Sequence, residues 1–192
     1  MIARSLLLSL VLSPLVVAGC GGGSHHEPEE YTGCGTDEHF QTFEDNEAMA
    51  TVSDTTGPKL TAPAAGATVP FAQKPILTWN QDSNDPGMAS GDVPYMGPGC
   101  NDCCPQFNIG ALTTLHEPAI SGTVYDLQFY VGTSYLHRVV TTLQEWTPTD
   151  DFWQTLKGKT VTVKIYRVSL LVNELKQGPF IAATANTFTV GS

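Results

Sequence analysis

Three cysteines fall close together in Cys100-Asn101-Asp102-Cys103-Cys104. Thiolates are soft ligands, and with His116, Met88 and Met96 they make a set suited to copper(I) or zinc. His25 and His26 stand nearer the N-terminus. A zinc ribbon needs a second cysteine pair at similar spacing, and the sequence has none. Upstream, Asp82-Ser83-Asn84-Asp85-Pro86-Gly87 offers calcium the hard oxygens of Asp82 and Asp85. Pro86 and Val93 occupy the fifth and twelfth places of an EF-hand loop and break its pattern, and a solvated turn accounts for the same residues.

Motifs for catalysis fail in detail. Gly158-Lys159-Thr160 matches the end of a phosphate-binding loop, but Trp153 stands where its first glycine must be. His116-Glu117 runs into Pro118 and so does not begin a helical HExxH. Gly87-Met88-Ala89-Ser90-Gly91 has its serine one place late for GxSxG. His116 and His137 are candidate bases with no nucleophile indicated by spacing, and a strand histidine is commonly a packed residue. The expectation is that the protein is not an enzyme.

The elements that must carry these residues follow from composition. The 192 residues are 41% hydrophobic and only 15% charged, with 18 Gly and 13 Pro, which favours a turn-rich β protein over a helical bundle. A net charge of −10 argues against nucleic acid as a partner. At the N-terminus, Arg4 precedes an apolar run from Leu6 to Val17 that is too short to span a bilayer. It ends in Val16-Val17-Ala18-Gly19-Cys20, which resembles the lipobox of bacterial lipoproteins. The resemblance covers the N-terminus alone. It implies that residues 1–19 are a signal peptide, that Cys20 becomes the first residue and carries a thioether-linked diacylglycerol, and that its amine takes a further chain such as palmitate. Two or three chains anchor firmly, at about 0.8 kcal/mol per buried methylene. Gly21 in place of Asp implies release to the outer membrane.

Residues 20–57 read as an acidic tether. Between 21 and 58 lie nine acids (Glu27, Glu29, Glu30, Asp37, Glu38, Glu44, Asp45, Glu47, Asp54) and no Lys or Arg, behind a Gly21-Gly22-Gly23-Ser24 spacer. Self-repulsion predicts an extended, solvated stalk. Residues 59–192 hold ten acids against eight bases, a net of only −2. With Cys20 set aside, Cys34, Cys100, Cys103 and Cys104 form an even set in an exported chain and suit two disulfides. Joining Cys103 to Cys104 would be strained, since adjacent Cα atoms are about 3.8 Å apart. Cys34 is then bridged to Cys103 or to Cys104, with Cys100 taking the other.

The domain, residues 58–192, reads as half-buried antiparallel strands. Leu77 and Trp79 share a face, as do Tyr125, Leu127, Phe129 and Val131, opposite Asp126, Gln128 and Tyr130. Val161, Val163 and Ile165 alternate with Thr162, Lys164 and Tyr166, and Phe188 and Val190 close the pattern. Weaker strands are predicted over 59–61, 68–71, 136–142 and 143–146. One short helix is predicted, with Thr147 as N-cap, Pro148 first, Phe152, Trp153 and Leu156 on one face, and Gly158 at its end.

Lys59-Leu60-Thr61-Ala62-Pro63 with Gly66-Ala67-Thr68-Val69, Leu77-Thr78-Trp79, Tyr125 to Phe129, Gly158 to Val163, and Gly178-Pro179-Phe180 to Val190 together resemble the strands of a fibronectin type III or immunoglobulin-like domain. The resemblance implies an all-β antiparallel sandwich and brings no catalytic residues with it. The departure is a long insertion, residues 82–122, holding the three clustered cysteines. The resulting expectation is a lipid-anchored module of the bacterial envelope, non-catalytic, that binds or supports an envelope protein or polysaccharide. A metal-binding lipoprotein using Cys100, Cys103, Cys104 and His116 is the alternative, and an enzyme acting on envelope polymers the third reading.

Overall fold

The computed structural model describes residues 26–80 and 121–192. These are mostly β, arranged as two sheets with two helices. Two alternating stretches become the long strands β6 (Gly122–Val131) and β9 (Thr160–Leu171), and the weaker strand predicted over 136–142 becomes a third, β7 (Ser134–Thr141). β6 lies between the other two and antiparallel to both, with Leu127 opposite Val139 on one side and Ile165 on the other. β10 (Glu174–Ile181) returns along one half of β9, and β11 (Asn186–Val190) along its other half. A three-stranded antiparallel sheet pairs β3 (Leu60–Ala62), β5 (Leu77–Trp79) and β8 (Glu145–Trp146).

The main core lies between the sheets. Leu60, Leu77, Trp79 and Trp146 meet Tyr125, Leu127, Phe129, Val139, Val163 and Ile165. Each fully buried Leu or Phe here contributes roughly 1.5–3 kcal/mol through apolar area removed from water. The predicted helix plugs this core as α2 (Asp150–Thr155), burying Phe152 and Trp153 and, just beyond, Leu156. Its N-cap is Thr149, two residues later than predicted. Thr149 has the extended backbone a cap requires, and its Oγ1 accepts from the Phe152 N–H at 3.3 Å. That places Asp150 and Asp151 in the first turn, where the helix dipole favours them.

Two expectations are corrected. The strands are not all antiparallel: β4 (Ala67–Val69) runs parallel to β11, and two edge strands from the acidic segment also pair in parallel. That segment is itself folded from Glu30 to Val52 instead of extended. β1 (Glu30–Thr32) lines β7, with Glu30 opposite Val139. A helix that periodicity did not predict, α1 (Asp37–Asn46), packs with a following turn of 3-10 helix against the second face of the large sheet, and β2 (Thr51–Val52) joins β10.

Apolar burial explains the difference. Phe43 of α1 is fully buried with Val124, Val140, Tyr166, Val168 and Leu170 in a second core. α1 begins at Thr36, whose N–H donates to His39 Nδ1 at 3.1 Å, so the histidine does the work of the Glu in a capping box. The segment stays close to the sheet beyond the strands: a Cβ added at Gly57 would fall 2.1 Å from Ala182 N. Among the described residues, no helix is long and apolar enough to cross a membrane.

Candidate functional site

Covering both faces of the large sheet gives each face its own polar centre. On the core side, β7 presents His137 beside Phe129 of β6, Trp146 of β8 and Phe152 of α2. The imidazole stacks on Phe152 with ring centroids 4.3 Å apart and on Trp146 at 5.7 Å. Its nitrogens face the carboxylates that β1 brings alongside: Nδ1 is 3.7 Å from Glu29 Oε2, and Nε2 is 3.8 Å from Glu30 Oε2. Burial lowers the His137 pKa, and the pull of Glu29 and Glu30 in the other direction does not fully offset it. Next to this ring, at the open edge between β1 and β8, a cleft of about 230 Å³ is lined by Glu30, Thr32, Leu143, Glu145, Trp146 and Thr147. Carboxylates and hydroxyls supply hydrogen-bonding groups beside the apolar faces of Leu143 and Trp146.

On the helix side, Arg138 meets three carboxylates. Its Nε and Nη2 donate to the two oxygens of Asp126 at 2.8 and 2.7 Å, and Nη1 donates to Glu44 Oε1 at 2.7 Å. Nη2 also lies 3.5 Å from Glu47 Oε2, and Nη1 donates to the His26 carbonyl at 3.0 Å. The guanidinium stacks over Phe40 at 4.7 Å. Gln128 donates to Asp126 and Glu47, Tyr130 donates to Gln128, and Tyr166 donates to Glu47. Burial raises Asp126 above the ordinary carboxylate range, against the opposing pull of Arg138. Burial works to lower Arg138, yet Asp126, Glu44 and Glu47 together hold it above its ordinary value. This cluster fastens α1 to the sheet.

No family model matches the chain, and no match is found among curated proteins or solved structures.

Cys20, the lipidation position, lies outside the described residues, as do Cys100, Cys103, Cys104, His116, Asp82 and Asp85. Cys34 follows β1, half-buried, and its N–H donates to Thr142 Oγ1 at 3.0 Å. Among the described residues, no group of three or more His, Cys, Asp or Glu side chains is placed to hold a metal ion. His137 is where the strand pattern put it, and it is packed among aromatic rings. Sequence reasoning missed Arg138 with Asp126, Glu44 and Glu47. Two signals were there to be read: Thr36 ahead of Asp37 and Glu38 with Phe40 and Phe43 three apart, and an arginine directly before Val139-Val140 in a strand.

Proposed function

We propose that the chain is a lipid-anchored lipoprotein of the bacterial cell envelope, displayed at the outer membrane, whose domain is a non-catalytic binding or structural module. The lipobox order from Val16 to Cys20 supports the anchor. The two-sheet core, with Trp79 and Tyr125 packed edge to face at 5.5 Å, supports an immunoglobulin or fibronectin III-like sandwich as its scaffold. The observation that carries the binding reading is the edge cleft between β1 and β8. Glu30, Glu145, Thr32 and Thr147 give it acceptors and hydroxyls of the kind that engage a hydroxyl-rich polymer or a polar segment of protein.

The test has two arms. Mass spectrometry of the N-terminal peptide should find a diacylated or triacylated Cys20, and Cys20→Ala should remove the protein from the membrane fraction. Solubilised cell-wall polysaccharide titrated against the domain should change tryptophan fluorescence, because Trp146 lines the cleft. Glu145→Gln should weaken that response. An unmodified Cys20 overturns the anchor, and saturable binding that ignores Glu145→Gln and Glu30→Gln removes the cleft from the reading.

A further inference from the structure

We infer that the end of the large sheet formed by the β6–β7 turn, Gly132-Thr133-Ser134, lies against the lipid bilayer; the inference rests on the proposed lipidation of Cys20. Two independent features carry it.

The first is reach. His26 is fixed to the sheet: its ring stacks on Tyr135 at a centroid distance of 3.8 Å, and its carbonyl accepts from Arg138. Tyr135 adjoins the β6–β7 turn. From Cys20 to His26 the chain can span at most about 22 Å. The acids of residues 29–52 add nothing to that reach, because their backbone is bound to the sheet through β1, α1 and β2. Strand β6, ten residues long, carries the far end of the sheet about 33 Å away. That far end is the β9–β10 turn, Val172-Asn173. The anchor thus holds one end of the long axis at the membrane and leaves the other in the aqueous phase.

The second is surface chemistry. Tyr130 and Tyr135 pack edge to face at 5.9 Å beside the turn, and Lys164 Nζ lies 4.8 Å over the Tyr130 ring. Lys157 and Lys159 are exposed where α2 hands over to β9 at the same end. Tyr135, whose hydroxyl meets Glu29 at the exposed rim, and the lysines are residues that headgroups accommodate, and lysines are drawn to anionic lipid. Among the acids of this end, Glu29 accepts from Tyr135 and Asp150 pairs with Lys74, while Glu27 and Asp151 are exposed. At the far end Glu38 accepts from Asn173 at 2.8 Å, and Lys176 is already paired with Glu174 at 2.7 Å.

The lipidated full chain, purified from bacterial membranes, is reconstituted in vesicles of phosphatidylethanolamine and phosphatidylglycerol. A benzophenone amino acid replaces either Thr133 or Val172, both exposed turn positions, and the protein is irradiated. The expected result is strong phospholipid adducts at Thr133 and weak ones at Val172. Equal adducts at the two positions, or stronger ones at Val172, overturn the orientation even when the protein floats with the vesicles. A chain that carries no lipid and fails to float overturns the anchor and the orientation with it, so the two failures are told apart by flotation alone.

Discussion

Arg138 donates to Asp126 through two nitrogens and to Glu44 through the third, with all three side chains close to or within the protein interior. Removing one partner of such a buried pair leaves an uncompensated charge, which costs about 3–5 kcal/mol. Arg138→Met should therefore lower the urea midpoint by that equivalent, and Arg138→Met with Asp126→Leu should recover most of it. An unchanged midpoint in the single variant would show that the carboxylates are satisfied elsewhere. His137 makes a prediction of the opposite kind. Its folded-state pKa is depressed, chiefly by burial, so the folded protein resists protonation that the unfolded chain accepts. Stability from this residue is fully present above about pH 6.5, the ordinary histidine value, and is lost as pH falls through the folded pKa. Thermal melts should fall across that window, and His137→Phe should flatten the fall. The type and strand of His137 were legible in the sequence, but its neighbours were not, since Glu29 reaches it across 108 residues of chain.

At the scale of elements, the β9–β10 hairpin is closed by a two-residue turn in which Val172 and Asn173 both have positive φ, 53° and 62°. Asparagine tolerates that region, whereas a β-branched side chain crowds its own backbone there. Val172 is also 62% exposed, so little packing is lost when it is changed. Val172→Asn should raise stability by about 1 kcal/mol, read from the shift in the urea midpoint. A loss of stability would mean that the valine side chain makes contacts worth more than the strain. β6 and β9 were readable because inward and outward side chains alternate from Tyr125 to Val131 and from Val161 to Tyr166. β10 was not, because Glu174-Leu175-Lys176-Gln177-Gly178-Pro179 alternates only briefly before Gly and Pro interrupt it. α1 was hidden for a different reason: a run of acids without a single base reads as solvated, and the base that neutralises part of it is Arg138, on another strand.

At the scale of the whole molecule, the N-terminal segment is part of the domain. Limited proteolysis of the native protein should cut ahead of His26 and spare residues 30–52, since their backbone is paired into the sheet or wound into α1. Phe43→Ala empties the centre of the second core and costs about 3–5 kcal/mol, so cleavage within α1 should appear in that variant. Ready cleavage of the wild type within α1 would return the segment to the role of a loose stalk.

The sequence by itself determined the β class, the inward faces of β6 and β9, the position of the plugging helix to within two residues, and the run of small residues ahead of Cys20. Each of these depends on residues adjacent or nearly so along the chain, where a period of two, a cap or a run of small side chains is expressed locally. Tertiary structure alone decided that Asp126 and Gln128 are buried, that His137 lies between two carboxylates, and that the acidic segment from Glu30 to Val52 is a docked helix and two edge strands. Those outcomes depend on which charge meets which across about a hundred residues. A lone arginine and a single buried phenylalanine are enough to turn a segment that composition marks as solvated into part of the core.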